Sequence, residues 1–565
     1  MTTDSTDSTV PPRFVVRPRD PRKEDKLLKA GLHPLLARLY AQRGCSIPPA
    51  SAIGGLLPPT DMLGLDIAAT RLADAIDAGE KLLVVADYDC DGATACALAV
   101  RGLRQMGANV DYLVPNRFET GYGLSPQVVD LALPRKPDLI LTVDNGIASH
   151  AGVDHANAHG IEVIVTDHHA VGATLPAARA IVNPNQPGCG FGSRQLAGVG
   201  VMFYVLIALR AELRRRGRFD AASQPKLHTL LDLVAVGTVA DLVRLDDNNR
   251  LLVRLGLDRL RSGQAQAGIA ALTRVAGREL RRLSTADIGF GIGPRINAAG
   301  RLADMSIGIE CLLTDDPARA FDLANQLDRI NAERRLVQDA MLDRSADLPV
   351  DADASAIVLM DASFHAGVTG LVATKLKDRH HRPTLVFAPT GEGQLTGSGR
   401  SIPGLHLRDA IDLVTKRAPG LVDRFGGHAM AAGLTIAAGG LDEFRSQFCA
   451  VVTELLGETP RERVITVDGA LETAWMRAEI AQMLGAEIWG QAFEAPLFAD
   501  EFEVIQQRVV GERHVKAALK VAGQRFDAIG FNRMKLPPRG VFAFRVDANE
   551  YNGHINTQLV IEHVI

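Results

Sequence analysis

The chain carries only six cysteines (Cys45, Cys90, Cys96, Cys189, Cys311 and Cys449), and no two of them stand as a CxxC pair. That argues against a zinc ribbon and a disulfide framework and predicts a reducing compartment. No apolar run approaches the ~18 residues that span a bilayer. The first 25 residues mix acids with basic groups and lack an apolar stretch, so they read as a loose tail and not as a signal peptide. A cytoplasmic monomer with no membrane partner is expected. An excess of charge of one sign is missing too: 62 basic and 66 acidic residues leave a formal net charge of -4. Any surface for a polyanion must therefore be a local basic patch. Neither an internal repeat nor a low-complexity tract is found.

What is present is an ordinary globular composition, 47% apolar and 23% charged, over 565 residues. That length predicts two to four domains. Between about residues 80 and 185 short apolar runs alternate with amphipathic segments. The pattern predicts strands at Lys81–Ala86, Val110–Val114, Leu139–Val143, Ile161–Thr166 and Ala180–Val182, and a helix over Ala93–Met106. Strands spaced by helices give βαβ units and a parallel sheet covered on both faces. Residues 196–345 read as mainly helical, with a long connecting helix from Pro317 to Leu342 behind caps at Thr314–Asp316. A second α/β pattern starts at Ala356 and ends near Leu456. After Pro460 come short Phe- and Val-rich segments (VITVDGAL, FEVIQQRVV, VKAALKVA, FDAIGFN, GVFAFRVDANEY, TQLVIEHVI), which predict a small antiparallel barrel. The expected division is 1–60 for a tail and helical lead-in, 61–245 for the first α/β domain, 246–350 for the helical region, 351–458 for the second α/β domain and 459–565 for the barrel.

The informative feature is where the acids fall. The first strand runs into Asp87-Tyr88-Asp89-Cys90-Asp91-Gly92, the third into Asp144-Asn145-Gly146, and the fourth into Asp167-His168-His169. The C-terminal edge of an open parallel sheet is its ligand crevice. Residues two apart on an extended chain point the same way, so Asp87, Asp89 and Asp91 are expected to line one side of it. Taken singly, an Asp after a strand is most often a helix cap or turn residue, and a His-His pair is often just surface. A DxDxD string also occurs in calcium loops, but their Gly and Glu are absent at the required distances. Three separate strand ends that agree are harder to explain as turns. Ionised together, so many carboxylates would repel one another and hold protons, unless divalent cations compensate them. Oxygen ligands with one or two imidazoles and no thiolate favour two Mn²⁺ or Mg²⁺ ions, the arrangement suited to phosphoryl transfer.

At DYDCDG, VDNG and TDHH the sequence resembles the DHH phosphoesterase family. Further pieces follow in order: Asn116–Leu124 (NRFETGYGL), Gly237–Asp241 (GTVAD), Gly293–Arg301 (GPRINAAGR), Ser398–Ser401 (SGRS) and Gly426–Ala429 (GGHA). Together they resemble the family's bacterial exonucleases specific for single-stranded DNA. The resemblance implies a parallel-sheet DHH domain and a DHH-associated α/β domain joined by the long helix, with a C-terminal OB-fold. It implies hydrolysis from the 5′ end to mononucleotides in DNA repair and recombination. Metal binding falls to Asp89, Asp91, Asp144, His168 and Asp241, with Asp144 between two ions, His169 facing the scissile phosphate and Asp87 supporting the cluster. Some members carry a histidine two residues before the first aspartate; here that place is Val85, and one ligand is absent. A single-strand-binding protein and a helicase enter as partners through the resemblance alone.

Arg117, Arg295, Arg301, Ser398 and Arg400 are implied as contacts to DNA phosphates, including a terminal 5′-phosphate. Arginine forks hold phosphate in a bidentate manner, and neighbouring glycines let backbone amides approach an anion. A surface salt bridge is the ordinary alternative for each arginine. His428 either binds phosphate or caps the turn at Gly426-Gly427. In the barrel, Arg508, Arg513, His514, Lys516, Lys520, Arg525, Arg533 and Lys535 supply positive charge. Phe526, Phe531 and Tyr551 are aromatic candidates, although most Phe residues there are expected in the core. Trp489 is expected to pack at a domain junction. Two rival readings remain: a hydrolase of short oligonucleotides, cyclic dinucleotides or pyrophosphate, and a catalytically dead DNA-binding scaffold.

Overall fold

The apolar runs of the first α/β segment form one all-parallel sheet in the computed structural model, which describes residues 10–116, 122–348, 351, 353–391, 393–457, 462–511, 513–551 and 554–565. Its strands are β1 (Lys81–Ala86), β2 (Asn109–Leu113), β3 (Leu139–Val143), β4 (Glu162–Thr166) and β5 (Ala180–Val182), in the order β2-β1-β3-β4-β5. Leu82 to Ala86 are wholly buried, as a central strand covered on both faces requires. Val85 belongs to the apolar cluster with Leu83, Val128 and Val165 and offers no ligand atom. Helices α1 (Cys90–Gln105) and α2 (Gly198–Arg215) pack on the sheet, and α3 (Leu231–Ala240) and α4 (Gly293–Leu302) pack on α1, the last preceded by a π-helical turn at Ile288–Ile292. The connecting helix α5 (Pro317–Asp347) starts behind the expected cap, with Asp316 accepting from the Ala318 amide, and runs five residues past Leu342.

The second sheet is mixed. It comprises β6 (Ile357–Met360), β7 (Thr384–Pro389), β8 (Gln394–Arg400), β9 (Arg424–Gly427) and β10 (Ala431–Ala437), in the order β9-β10-β8-β7-β6, and α6 (Thr369–His380) connects β6 to its parallel neighbour β7. Phe387, Phe444 and Phe448 anchor its core. The last five strands close a barrel: β11 (Phe498–Val510), β12 (His514–Val521), β13 (Gln524–Gly530), β14 (Arg539–Tyr551) and β15 (His554–Val564). All its pairings are antiparallel except β13 with β15, which is parallel. Phe498, Phe502, Phe542 and Phe544 are wholly buried and fill it, in line with the expectation that most phenylalanines there are core.

The chain divides into two compact units, Pro48–Ala332 with Ala486–Ala495, and Met1–Ile47 with Glu333–Gly485 and Pro496–Ile565. Two local expectations change. The N-terminal segment is not a loose tail from residue 12 on, because Pro12–Val16 pairs in parallel with Arg463–Val467 and Arg43 forms a buried ion pair with Asp468. The VITV segment consequently serves that pairing and not the barrel. Trp489 stacks on Phe493 within the first unit, beside the Arg250 guanidinium 3.7 Å from the Phe493 ring. The strand pairing, the Arg43–Asp468 ion pair and the Arg250–Phe493 contact join residues hundreds of positions apart, beyond the reach of local pattern. Among the described residues no helix is long and apolar enough to cross a membrane.

Candidate metal centre and phosphate-binding residues

At the C-terminal edge of the first sheet the backbone leaves each strand abruptly, and side chains rather than regular structure hold the turns. After β3, Asp144 adopts a left-handed conformation (φ 62°), which Asp tolerates better than most residues. The next side chain fixes it: Asn145 Nδ2 donates to the carbonyls of Val85 (3.1 Å) and Val143 (2.9 Å), stitching β1 to β3. After β4, Asp167 accepts from the amides of Ile147 (2.8 Å), His168 (2.7 Å) and His169 (3.0 Å). Asn185 and Asn183 donate to the carbonyls of His168 and His169. The histidine pair is thus set from both sides.

The DYDCDG run does not stay extended through Asp91. Asp89 is the N-cap of α1, accepting from the Gly92 amide at 3.0 Å, and Asp91 lies inside the first helical turn. The expected single line of Asp87, Asp89 and Asp91 is therefore replaced by a split, because the strand turns into a helix between them. Asp91 crosses to α2, a helix with no cap of its own, and accepts from the amides of Gly198 (2.6 Å) and Val199 (3.0 Å). Asp241 follows the last turn of α3.

Among the described residues three overlapping sets bring ligand atoms within 4.8 Å of one another: Asp87, Asp89 and Asp144; Asp91, His168 and Asp241; and Asp144, His168 and His169. His168 Nε2 lies 3.1 Å from Asp144 Oδ1, 3.5 Å from Asp241 Oδ2 and 3.9 Å from Asp91 Oδ2. All of the expected metal-binding residues, together with Asp87 and His169, are therefore in one place. Asp144 belongs to two sets, the position a shared carboxylate would hold.

The electrostatics of the cluster are unfavourable without cations. Burial, reinforced by Asp89, pushes Asp91 up to about 7 although two amides donate to it. Burial, with Asp91 and Asp89 beside each, drives Asp144 and Asp241 well above the carboxylate range. Asp144 Oδ1 is buried and receives no hydrogen bond. One pair is balanced: burial opposes charge on both, but the Asp167–His169 bond at 2.7 Å holds Asp167 below its ordinary 3.8 and lifts His169 to about 9. The Tyr122 hydroxyl stands 3.4 Å from the His169 ring nitrogens.

The remaining residues fall in other places. Helix α4 docks on the DYDCDG turn: Asn297 accepts from the Cys90 amide (2.8 Å), and a Cβ at Gly300 would lie 1.9 Å from the Tyr88 carbonyl. Only glycine permits that approach, which puts Arg301 next to the turn. Arg295 on the same helix pairs with Asp328 (2.8 Å). In the second unit, strand register sets Ser398 and Arg400 of β8 against Gly433 and Ala431 of β10, and His428 lies in the turn just before β10. The Thr369 hydroxyl donates to Ser398 Oγ at 2.9 Å, and Arg400 Nη2 lies 2.9 Å from where a Cβ on Gly370 would stand, at the start of α6. Burial lowers the Arg400 pKa, and among the described residues no acid pairs with it. On the barrel, Arg513 is exposed, Lys516 is half-buried, and Lys516 lies directly opposite Arg508. Arg117 and the side chain of Tyr551 lie outside the described residues.

Three family models match, the DHH family N-terminal domain over residues 81–238, the DHHA1 domain over 353–454 and the RecJ OB domain over 467–563. Over 562 residues the chain is 47% identical to the single-stranded-DNA-specific exonuclease RecJ of Escherichia coli (strain K12), covering 95% of this chain and 96% of that one. The chain belongs to the RecJ family. Crystal structures of RecJ from Thermus thermophilus in complex with Mn²⁺ and with Mg²⁺ match with TM-scores of 0.83 and 0.76, at 30% and 29% identity. Each covers 98% of this chain, which spans 79% and 78% of theirs.

The donor set fits Mn²⁺ and Mg²⁺, the ions of those RecJ structures. It is carboxylate oxygen and imidazole without thiolate, and its buried acids need a counter-charge. Tyr122, Asp167, Asn297 and Gly198 have no role expected from the sequence. Asp167 was visible inside TDHH, whereas Gly198 carries no local signal, since only its contact with Asp144 makes it matter. The raised carboxyls also predict a linkage. Between pH 4 and 7 the metal-free folded protein holds protons that the unfolded chain, with carboxyls near 3.8, has released. Its stability therefore falls as pH rises through that window. Mn²⁺ needs the ionised groups, so its apparent affinity should rise up to ten-fold per pH unit for each proton displaced. The Mn²⁺-induced gain in Tm, against EDTA, is expected to be larger at pH 7.5 than at pH 5.5. An equal gain would disprove the linkage.

Proposed function

We propose that this chain is a metal-dependent exonuclease that hydrolyses single-stranded DNA from its 5′ end to mononucleotides, in DNA repair and recombination. The observation that carries the reading is the convergence of Asp87, Asp89, Asp91, Asp144, His168 and Asp241 from separate strand and helix ends. Asp89 and Asp144 would hold one ion, Asp91, His168 and Asp241 a second, and Asp144 would lie between them. Divalent ions supply an activated water and charge compensation at the attacking and leaving oxygens. His169, kept cationic and oriented by Asp167, faces the phosphate and stabilises its developing charge, while Asp87 supports the cluster.

Arg400, Ser398 and His428 would form the pocket that registers a terminal 5′-phosphate, at the start of α6, where backbone amides and the helix dipole favour an anion. Arg117, Arg295 and Arg301 would contact phosphates along the strand. Like charges directly opposite on adjacent strands destabilise a sheet. The Arg508–Lys516 pairing, with Arg513 beyond it, therefore supports a barrel surface built for a polyanion. His514 packs edge-on against Phe531 at 5.3 Å, and Phe531 remains exposed, which suits stacking on bases. The reading includes a cytoplasmic monomer acting beside a single-strand-binding protein and a helicase, and the six free cysteines suit that compartment. Its domain limits are 1–60, 61–245, 246–350, 351–458 and 459–565.

Digestion of end-labelled oligonucleotides tests it. With Mn²⁺, 5′-labelled single strands should release labelled mononucleotides from the first turnover, duplex of the same sequence should resist, and EDTA should stop the reaction. Affinity for the single strand should fall by orders of magnitude between 50 and 200 mM salt as counterions are no longer released favourably. Early release from the 3′ label, or equal cutting of duplex, would overturn the polarity and strand preference.

A further inference from the structure

Two large apolar side chains stand exposed near the end of α3: Leu242, next to Asp241 in the chain, and Phe290, in the π-helical turn that packs on that helix. Leu242, immediately after Asp241, is 67% exposed and left-handed (φ 59°). It follows Asp241, the C-cap residue of α3, at the position where glycine is the usual choice because a side chain is strained there. Phe290 is 54% exposed in the π-helical turn, while Ile288 and Ile292 on either side of it are wholly buried. Such turns are rare and concentrate at functional sites. That turn packs on the end of α3: Cβ positions at Gly289 and Gly293 would lie 3.7 Å from Val239 and 3.1 Å from Ala240. The turn that carries Phe290 and the residue Leu242 thus both adjoin the end of α3, the helix end that delivers Asp241.

We propose that Leu242 and Phe290 form an apolar shelf that receives the nucleobase adjoining the scissile phosphate and so positions the strand for hydrolysis. This rests on the exonuclease reading. Every phosphodiester carries a sugar and base on either side, so a strand seated at the carboxylates must place a base beside them. Aromatic and apolar faces accept any base, which suits an enzyme that removes nucleotides without regard to sequence. Of the described non-glycine residues with positive φ, Leu242 alone carries a large aliphatic side chain.

The test uses the full-length protein with Mn²⁺ and single strands of two kinds, one normal and one with abasic tetrahydrofuran residues at its first positions. On normal DNA, Phe290→Ala and Leu242→Gly should each lower kcat/KM about ten-fold. On the abasic strand the parent should already be slower by a similar factor, and neither variant should lose more than about two-fold again. Leu242→Gly should keep or raise Tm while activity falls, which separates lost contact from lost fold. An equal loss on both substrates, as a general disturbance of the site or a protein-docking role would give, overturns the shelf. So does undiminished activity of both variants on normal DNA. A parent that cuts neither strand would instead refute the exonuclease reading itself.

Discussion

Asp144→Ala is expected to lower hydrolysis of single-stranded DNA in Mn²⁺ by about 10³-fold or more, because it removes the carboxylate shared by two ligand sets. Single-turnover cleavage of a labelled oligonucleotide reads the loss. Fluorescence anisotropy should find DNA affinity within a few-fold of the parent, since the proposed phosphate contacts lie on other residues. Alanine tolerates the left-handed backbone at this position less well than aspartate does. Asp144→Asn keeps the turn and removes only the charge, and it should be equally inactive. Activity retained in the Asn variant would take Asp144 out of the metal assignment.

Gly198→Ala should cost about 10²-fold, although the residue is neither acidic nor basic and alanine is the better helix former. A Cβ there would lie 2.6 Å from both Cβ and Oδ1 of Asp144. The amide of the same residue is bonded to Asp91 at 2.6 Å, so the helix cannot retreat without disturbing a second proposed ligand. A displacement of that size in a catalytic group is enough for such a loss. Mn²⁺ titration should show weakened binding alongside the slower rate. Gly200→Ala on the same turn meets only the end of the Leu196 side chain, at 3.1 Å, and should change the rate less than about three-fold. Equal rates for the two variants would mean that Gly198 has no special role in seating Asp144.

Much of the site was legible because strand ends are local events. An apolar run that stops at Asp87, at Asp144 or at Asp167 announces both the strand and the group delivered at its edge, and β1, β3 and β5 coincide with the expected segments. The spacing within DYDCDG misled in one respect. Period-two reasoning holds only while the chain is extended, and the Asp89 cap begins α1 before Asp91 is reached. The loose N-terminal tail failed for a different reason: Pro12–Val16 has no apolar period strong enough to declare itself, and its partner at Arg463–Val467 is far along the chain.

Taken alone, the amino-acid order determined the layered α/β class, the barrel, the acids and imidazoles of the metal centre, and its match to a known set of motifs, since each is written in short windows of periodicity or side-chain type. The tertiary structure alone decided how the acids divide into sets, that Gly198 and Gly300 must stay small, that Asp91 caps a helix more than a hundred residues away, and that the turn carrying Phe290 packs on the helix end that Leu242 follows. Those outcomes depend on distances between segments that no local pattern encodes, because close packing, and not sequence separation, sets which atoms meet.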